Sequence, residues 1–430
     1  MLVAGPTTAR ELWQSGPASL DGGGSVRQIL VVSRGTNLED FYTGYLTPSC
    51  EDDFANCPAF DAVGEQRVVT SLTRLRLRGE LRIGEHLSAV AEFDNELIAG
   101  HLDTFEAQLG QTIASRTWVD AGGSIGNDRV EYRYFLWRGY VKFDSRHFTA
   151  IVGRQRVPWG VGRLWSPMDR FNAIRPLAIQ GDQFPAVDAA LGRILIGDFT
   201  EIEGVFSAAD VAENHSGAAR LHGVLLDVDY SLMAGVFDDA PAVGFDLATN
   251  LGGAAGRAEV VFTHPRRLVW PIGEAAPRQL DDFWQLVVSV DYSFDIGDGL
   301  YALLEYLYNG NAQGFGYGKA GNWLTFFEEP VNQPLLPFTS PNRFGGSRVI
   351  SGSHHLTALQ LGYDLTPELR IDFLTIADWD GPSVVFYPAL RWSPLDWLEL
   401  TVGVQGTAGP HLSEYGSLPT TAFLLADFFF

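Results

Sequence analysis

Leu72-Thr73-Arg74-Leu75-Arg76-Leu77-Arg78-Gly79-Glu80-Leu81-Arg82-Ile83 alternates apolar with charged residues. Side chains on a strand point to opposite faces with period two, so Leu75, Leu77, Leu81 and Ile83 share one face and Arg74, Arg76, Arg78, Glu80 and Arg82 share the other. A charged face this dense suits no soluble core. It suits a wall with lipid outside and water inside, because an arginine turned to lipid at mid-membrane costs about 2 to 4 kcal/mol.

No linker, low-complexity tract or shift of composition divides the 430 residues, so one large unit is the simplest reading. The 47 glycines and 12% aromatic content favour strands, turns and aromatic girdles over helices. No apolar run reaches the 18 or so residues of a membrane helix. A chain that spans a membrane without helices has to close into a barrel, since an open sheet edge in hydrocarbon leaves backbone groups unsatisfied.

A formal charge of -22 excludes nucleic acid as a partner, because phosphates call for a basic surface. Cys50 and Cys57 lie in one polar stretch, Pro48 to Pro58, with spacing for a disulfide loop in an oxidising compartment; two free thiols are the alternative. The start, Met1-Leu2-Val3-Ala4, lacks the apolar core of a secretory leader, so a leader is taken as removed or the start as clipped.

Short connections alternate with long ones along the chain. Short turns fall at 84–86, 144–146, 197–199, near Tyr230, 251–254, 295–298, 366–367 and 393–395; long segments fall at 35–67, 98–130, 157–186, 264–282 and 310–353. Outer-membrane barrels place short turns in the periplasm and long loops outside. With both termini periplasmic the strand number is even. The reading is all-β: a transmembrane antiparallel up-and-down β-barrel of 18 strands, with 16 as the alternative. Residues 1–24 form a periplasmic N-terminal segment and 25–430 the barrel. The last strand puts Leu424, Ala426, Phe428 and Phe430 on one face and Asp427 on the other. Phe428 and Phe430 resemble the assembly signal of bacterial outer-membrane barrels, which implies the barrel assembly machinery as a partner.

Three stretches carry a family likeness: Tyr134 to Phe143, then Gly153-Arg154-Gln155 with Trp159-Gly160, then Pro167-Met168-Asp169-Arg170-Phe171-Asn172. They resemble the signature of a broad group of alginate-export-like outer-membrane porins. The resemblance implies passive diffusion through a barrel of about this strand number and does not carry alginate over as the solute.

The loop 157–186 holds Trp159, Arg163, Trp165, Asp169, Arg170 and Arg175 among prolines and glycines. It is read as a constriction folded into the lumen, where the charges of the narrowest ring set selectivity; a packed external loop is the alternative. Inward cations are placed at Arg138, Lys142, Arg154 and Arg156. Inward acids come later, at Glu201, Glu203, Asp227, Asp229, Asp291, Glu305 and Glu399, and the separation sets a transverse field. Matching faces across the turn at 84–86 sets Arg78 against Glu92, Arg76 against Asp94 and Arg74 against Glu96, a salt-bridge ladder contributing about 0.2 to 1 kcal/mol per pair.

Enzyme readings fail for want of a local catalytic signature among the nine histidines. No metal site is expected, because His354 and His355 adjoin on a strand and point apart. No cofactor is expected, and no Cys-x-x-Cys-His haem site occurs. The functional expectation is an outer-membrane channel for small polar or anionic solutes. A structural sheath around a separate partner such as a cytochrome is the alternative, and a homo-oligomer is compatible with either. Acidic loop pairs such as Asp281-Asp282 are compatible with divalent bridges to lipopolysaccharide, though a solvated surface explains them more simply.

Overall fold

The computed structural model describes residues 10–36, 65–100, 117–127, 129–172, 176–181, 183–210, 212–266, 268–269, 278–279, 281–297, 299–312, 347–349, 351–410, 413–416 and 418–430. Cys50, Cys57 and Arg175 lie outside these residues.

Eighteen antiparallel strands follow one another round a ring. They are β1 (Ala18–Thr36), β2 (Glu65–Ile83), β3 (Leu87–Gly100), β4 (Val130–Asp144), β5 (Phe148–Gln155) and β6 (Val187–Ile196). Next come β7 (Thr200–Ala208), β8 (Ser216–Leu225), β9 (Val228–Phe237), β10 (Ala240–Leu251), β11 (Ala254–Thr263) and β12 (Phe283–Phe294). The ring ends with β13 (Leu300–Asn309), β14 (His355–Thr366), β15 (Leu369–Asp378), β16 (Ser383–Leu395), β17 (Leu398–Ala408) and β18 (Thr420–Phe429). β1 pairs with β18, Val26 opposite Phe428, and so closes the barrel. Arg27 grips Asp427 across that seam at 2.6 and 3.2 Å.

Alternation decides the two faces. Leu77, Val141, Val152, Ile194, Phe206, Leu232, Val288, Leu304 and Val402 are exposed around the outside, while Arg74, Asp94, Glu203, Glu259 and Glu305 are buried inside. Phe428 and Phe430 are 38% and 53% exposed on the outer side of the seam. The exterior is therefore an apolar belt that only lipid satisfies, and the polar residues face the lumen.

Four local readings change. The turn placed near Tyr230 is Leu226-Asp227, both at positive φ (53° and 61°), so Asp227 is a turn residue and lines no wall. Tyr230 lies within β9 opposite Gly223, where a Cβ on the glycine would come within 2.8 Å of the tyrosine oxygen. β1 begins at Ala18 and pairs at its lower end with a short strand, Arg10–Ser15, on the edge that β18 occupies higher up. In β4 a bulge at the Glu92/Phe93 level adds one residue, so face parity inverts above Arg138. Finally, β4 meets β5 only from Gly139–Arg154 downward, and its upper edge is taken by a second short strand, Gly122–Asn127.

Candidate functional site

The chain leaves the wall after Gln155 and turns inward because its motif residues fit only that path. Gly153 has φ +125°, and a Cβ there would stand 2.3 Å from the Gly139 carbonyl. Gly160, at φ +88°, sits so close to Ser166 and Glu259 that a side chain has no room. Asn172 ties the two ends of the loop: its Oδ1 accepts from Val157 N at 2.8 Å and its Nδ2 donates to the Pro185 carbonyl at 2.5 Å. Asp169 Oδ1 in turn accepts from Asn172 N at 2.8 Å.

Two wall carboxylates then capture the loop backbone. Glu259 on β11 accepts from Val161 N and Gly162 N, both at 2.5 Å, from Met168 N at 3.0 Å and from the Ser166 hydroxyl at 3.0 Å. Glu305 on β13 accepts from Arg163 N, Leu164 N and Trp165 N at 2.9, 2.9 and 2.7 Å. Five consecutive amides, 161–165, thus point at two carboxylates. Glu203 on β7 accepts from the Trp159 indole and pairs with Arg193 at 2.6 Å.

Apolar packing completes the docking. Val157, Trp159, Met168 and Phe171 join a buried cluster with Val205, Met233, Phe237 and Val261 of the wall. Leu164 and Trp165 join another with Leu303, Leu307, Leu356 and Ile376. Ile179 packs against Ile29, Leu72, Ile98 and Phe423, close to the point where Gln180 accepts from Arg74 at 2.7 Å. The described loop residues therefore run across the lumen between opposite walls, and their apolar side chains are buried there.

This placement redistributes the charged residues. Asp169 and Arg170, read from the sequence as lining the pore, are buried at 1% and 0% exposure. Burial pushes the Asp169 carboxyl up to about 8, against the pull of Arg156 and Arg348. Burial likewise lowers the Arg170 guanidinium to about 9, helped by the nearby Arg348 charge; it donates to Thr263 Oγ1 at 2.8 Å, while Nε and Nη1 have no partner. Arg154 does not face the lumen at all. It stands opposite Gly139 on the face of Val141 and Val152, which are 49% and 60% exposed to the outside. The acids Glu203 and Glu305 serve as anchors for the loop, which removes them from any free transverse field. Glu259 went unnoticed in the sequence, since nothing local distinguishes it from other strand acids.

The ladder arginines and the other cations read from the sequence as lumenal fall into two groups. Arg74, Arg76 and Arg78 stand opposite Glu96, Asp94 and Glu92. Arg74 reaches Glu96 at 2.7 Å, Arg76 holds both Asp94 oxygens at 2.6 and 2.7 Å, and Arg78 reaches Glu92 at 3.2 Å. Lys142 pairs with Asp144 at 2.8 Å near the periplasmic mouth. Three guanidiniums are held loosely. Arg138 is 3.6 Å from Glu92 and within electrostatic reach of Arg76 and Arg156. The Arg156 guanidinium carbon stands over the Phe184 ring, 3.6 Å from its centroid, with Nε unpartnered. Arg163 is exposed, and its backbone N donates to Glu305 Oε2 at 2.9 Å.

No protein-family model matches the chain, and no curated protein matches it by sequence. In architecture it is similar to OccK5 (OpdH) of Pseudomonas aeruginosa, at 9% identity and TM-score 0.51 over 95% of this chain and 97% of that one. It is similar to OccAB1 of Acinetobacter baumannii, at 11% identity and TM-score 0.51 over 99% and 98% of the two chains. The outer membrane protein OpdK of Pseudomonas aeruginosa gives 10% identity and TM-score 0.50 over 96% and 98%. The likeness is one of fold, an 18-strand outer-membrane barrel. The alginate-export-like group is not specifically shown by these likenesses.

Proposed function

We propose that the chain is a bacterial outer-membrane channel through which small polar or anionic solutes diffuse passively, with the inward loop as its constriction and Arg138, Arg156 and Arg163 as the groups that meet the solute. One observation carries this reading: among the described residues Arg156 and Arg163 have no carboxylate within ion-pair distance and Arg138 reaches Glu92 only at 3.6 Å, while Glu203, Glu259 and Glu305 are engaged by the loop or by Arg193. A positive site walled by low-dielectric protein concentrates anions, and the effect weakens as salt screens it. The reading as a sheath for a cytochrome is disfavoured, because the clusters around Trp159 and Trp165 occupy the lumen a protein partner would need.

Reversal potential in a salt gradient across planar bilayers tests the proposal. Anion preference in the native channel that falls when Arg138, Arg156 and Arg163 are each replaced by Gln supports it. Cation preference in the native channel, or selectivity indifferent to all three substitutions, defeats it.

A further inference from the structure

The sequence motif Gly153-Arg154-Gln155 contains a residue that a diffusion channel does not need where it stands. Arg154 lies on the outward face of β5 and Asp188 on the outward face of β6, in line with Ile194, which is 52% exposed. The two pair at 2.9 and 3.2 Å. Arg154 is six residues above Phe148, the first residue of its strand. At about 3.3 Å per residue and a tilt of about 40° this is roughly 15 Å up a lipid-facing belt of about 25 Å. An ion pair therefore sits on the lipid side of the wall near mid-belt, yet Arg154 is only 7% exposed.

Residues of the long connection between β3 and β4 cover it. Arg154 donates to the Val119 carbonyl at 2.5 Å and to the Leu136 carbonyl at 2.8 Å, and Val119 N donates to Asp188 Oδ2 at 2.9 Å. The chain then rises as Gly122–Asn127 along the upper edge of β4, filling the place that β5 vacates when it turns into the lumen. Ile125 stands opposite Tyr132 on the outer face. Trp118, Val119 and Ile125 are 67%, 53% and 71% exposed, among the most exposed apolar side chains of the barrel's outside.

We propose that residues 117–127 are a panel of the wall embedded in the outer leaflet, with lipid acyl chains as their partner, and that the Arg154–Asp188 pair is the latch that holds the panel down. Trp118, Val119 and Ile125 extend the exposed apolar belt formed by Val141, Val152, Ile194 and Phe206, with Asp120 the single exposed charge among residues 117–127, and this apolar continuity is the argument for lipid as the occupant. Lipid also keeps the latch shut, because lifting the panel would turn a guanidinium and a carboxylate toward hydrocarbon. Arg154 acts here as a positioning residue: it sets where the chain leaves the wall one residue later.

Spin labelling of the full chain in liposomes tests this, with Cys50 and Cys57 replaced by Ser and a nitroxide placed at Trp118→Cys or Ile125→Cys. Collision rates with oxygen, which concentrates in lipid, and with a water-soluble nickel chelate are compared with those at Val152→Cys in the belt and Glu85→Cys in a periplasmic turn. The expected oxygen-to-nickel ratio at both panel sites is close to that of Val152. Arg154→Gln or Asp188→Asn should shift the Trp118 site toward the Glu85 value; either variant suffices if the other does not assemble. A wild-type panel ratio equal to that of Glu85 makes the segment a solvated loop and overturns the proposal. Sites closed to both reagents point to a second copy of the chain as the occupant and also overturn it. A ratio unmoved in both latch variants refutes the latch.

Discussion

Glu305→Gln should loosen the constriction without touching the pore charges. In the native chain Glu305 Oε1 accepts from Leu164 N and Trp165 N, and Oε2 accepts from Arg163 N. Glutamine keeps one oxygen for two of these amides and turns an NH2 group toward the third. The net loss is one amide bond to a charged acceptor plus a donor facing a donor, about 1.5 to 3 kcal/mol. At 1.4 kcal/mol per tenfold, the fraction of time in which the 163–165 segment is detached rises by roughly 10- to 150-fold. Glu305→Ala, which orphans all three amides, should exceed this. Hydrogen exchange of the 163–165 amides in lipid nanodiscs reads the detachment, and single-channel recording reads its consequence as added open-state noise and higher mean conductance. Unchanged exchange at those amides in Glu305→Ala would refute the reasoning that the wall carboxylates hold the loop.

Arg76→Glu should harm stability far more than ion preference, because it sets a new carboxylate against Asp94, which has no exposure; about 3 to 5 kcal/mol is expected from breaking a buried pair, read as a lower unfolding midpoint in urea. Asp169→Asn should flatten part of the pH dependence of stability. With the folded carboxyl at about 8 against an ordinary 3.8, the folded state binds the extra proton between these values, so this group lowers stability as pH rises through that window, by up to about 1.4 kcal/mol per pH unit. The difference between wild type and Asp169→Asn in unfolding midpoints at pH 5 and pH 8 is the measurement, and no difference in slope would exclude a protonated Asp169. Gly153→Ala places a Cβ 2.3 Å from the Gly139 carbonyl at a backbone φ of +125°, so the fraction of heat-modifiable folded barrel should fall sharply.

The barrel was legible because period-two alternation is a local property. Arg74 to Ile83 needs no partner to declare two faces, and the same rule recovers β12, β15 and β18 from their own residues. Turn chemistry was legible where glycine or proline marks it, as at Gly84 and Pro367, and misleading at Leu226-Asp227, where two residues of ordinary type adopt positive φ because the tight hairpin leaves no other path. Arg138 and Arg154 show the limit of local parity. One bulged residue in β4, and a register between β4 and β5 set by hydrogen bonding, decide that the first faces the lumen and the second faces out.

The sequence shows the candidate site as a loop rich in tryptophan, arginine and aspartate and leaves a lumenal constriction and a packed external loop both open. Which charges stay free did not follow. Asp169 and Arg170 look like pore residues in the sequence and are buried within the loop, whereas Glu203 and Glu305 look like pore charges and act as anchors. The sequence by itself determined a closed barrel with an apolar outside and a charged inside, read as 18 strands with 16 as the alternative, because lipid on one face and water on the other impose a pattern readable residue by residue. Only the tertiary structure decided the electrostatics of the channel, because neutralisation depends on groups brought together from distant parts of the chain: on the lumenal side Glu305 meets Trp165 N across 140 positions, and on the outer side Arg154 meets the Val119 carbonyl across 35.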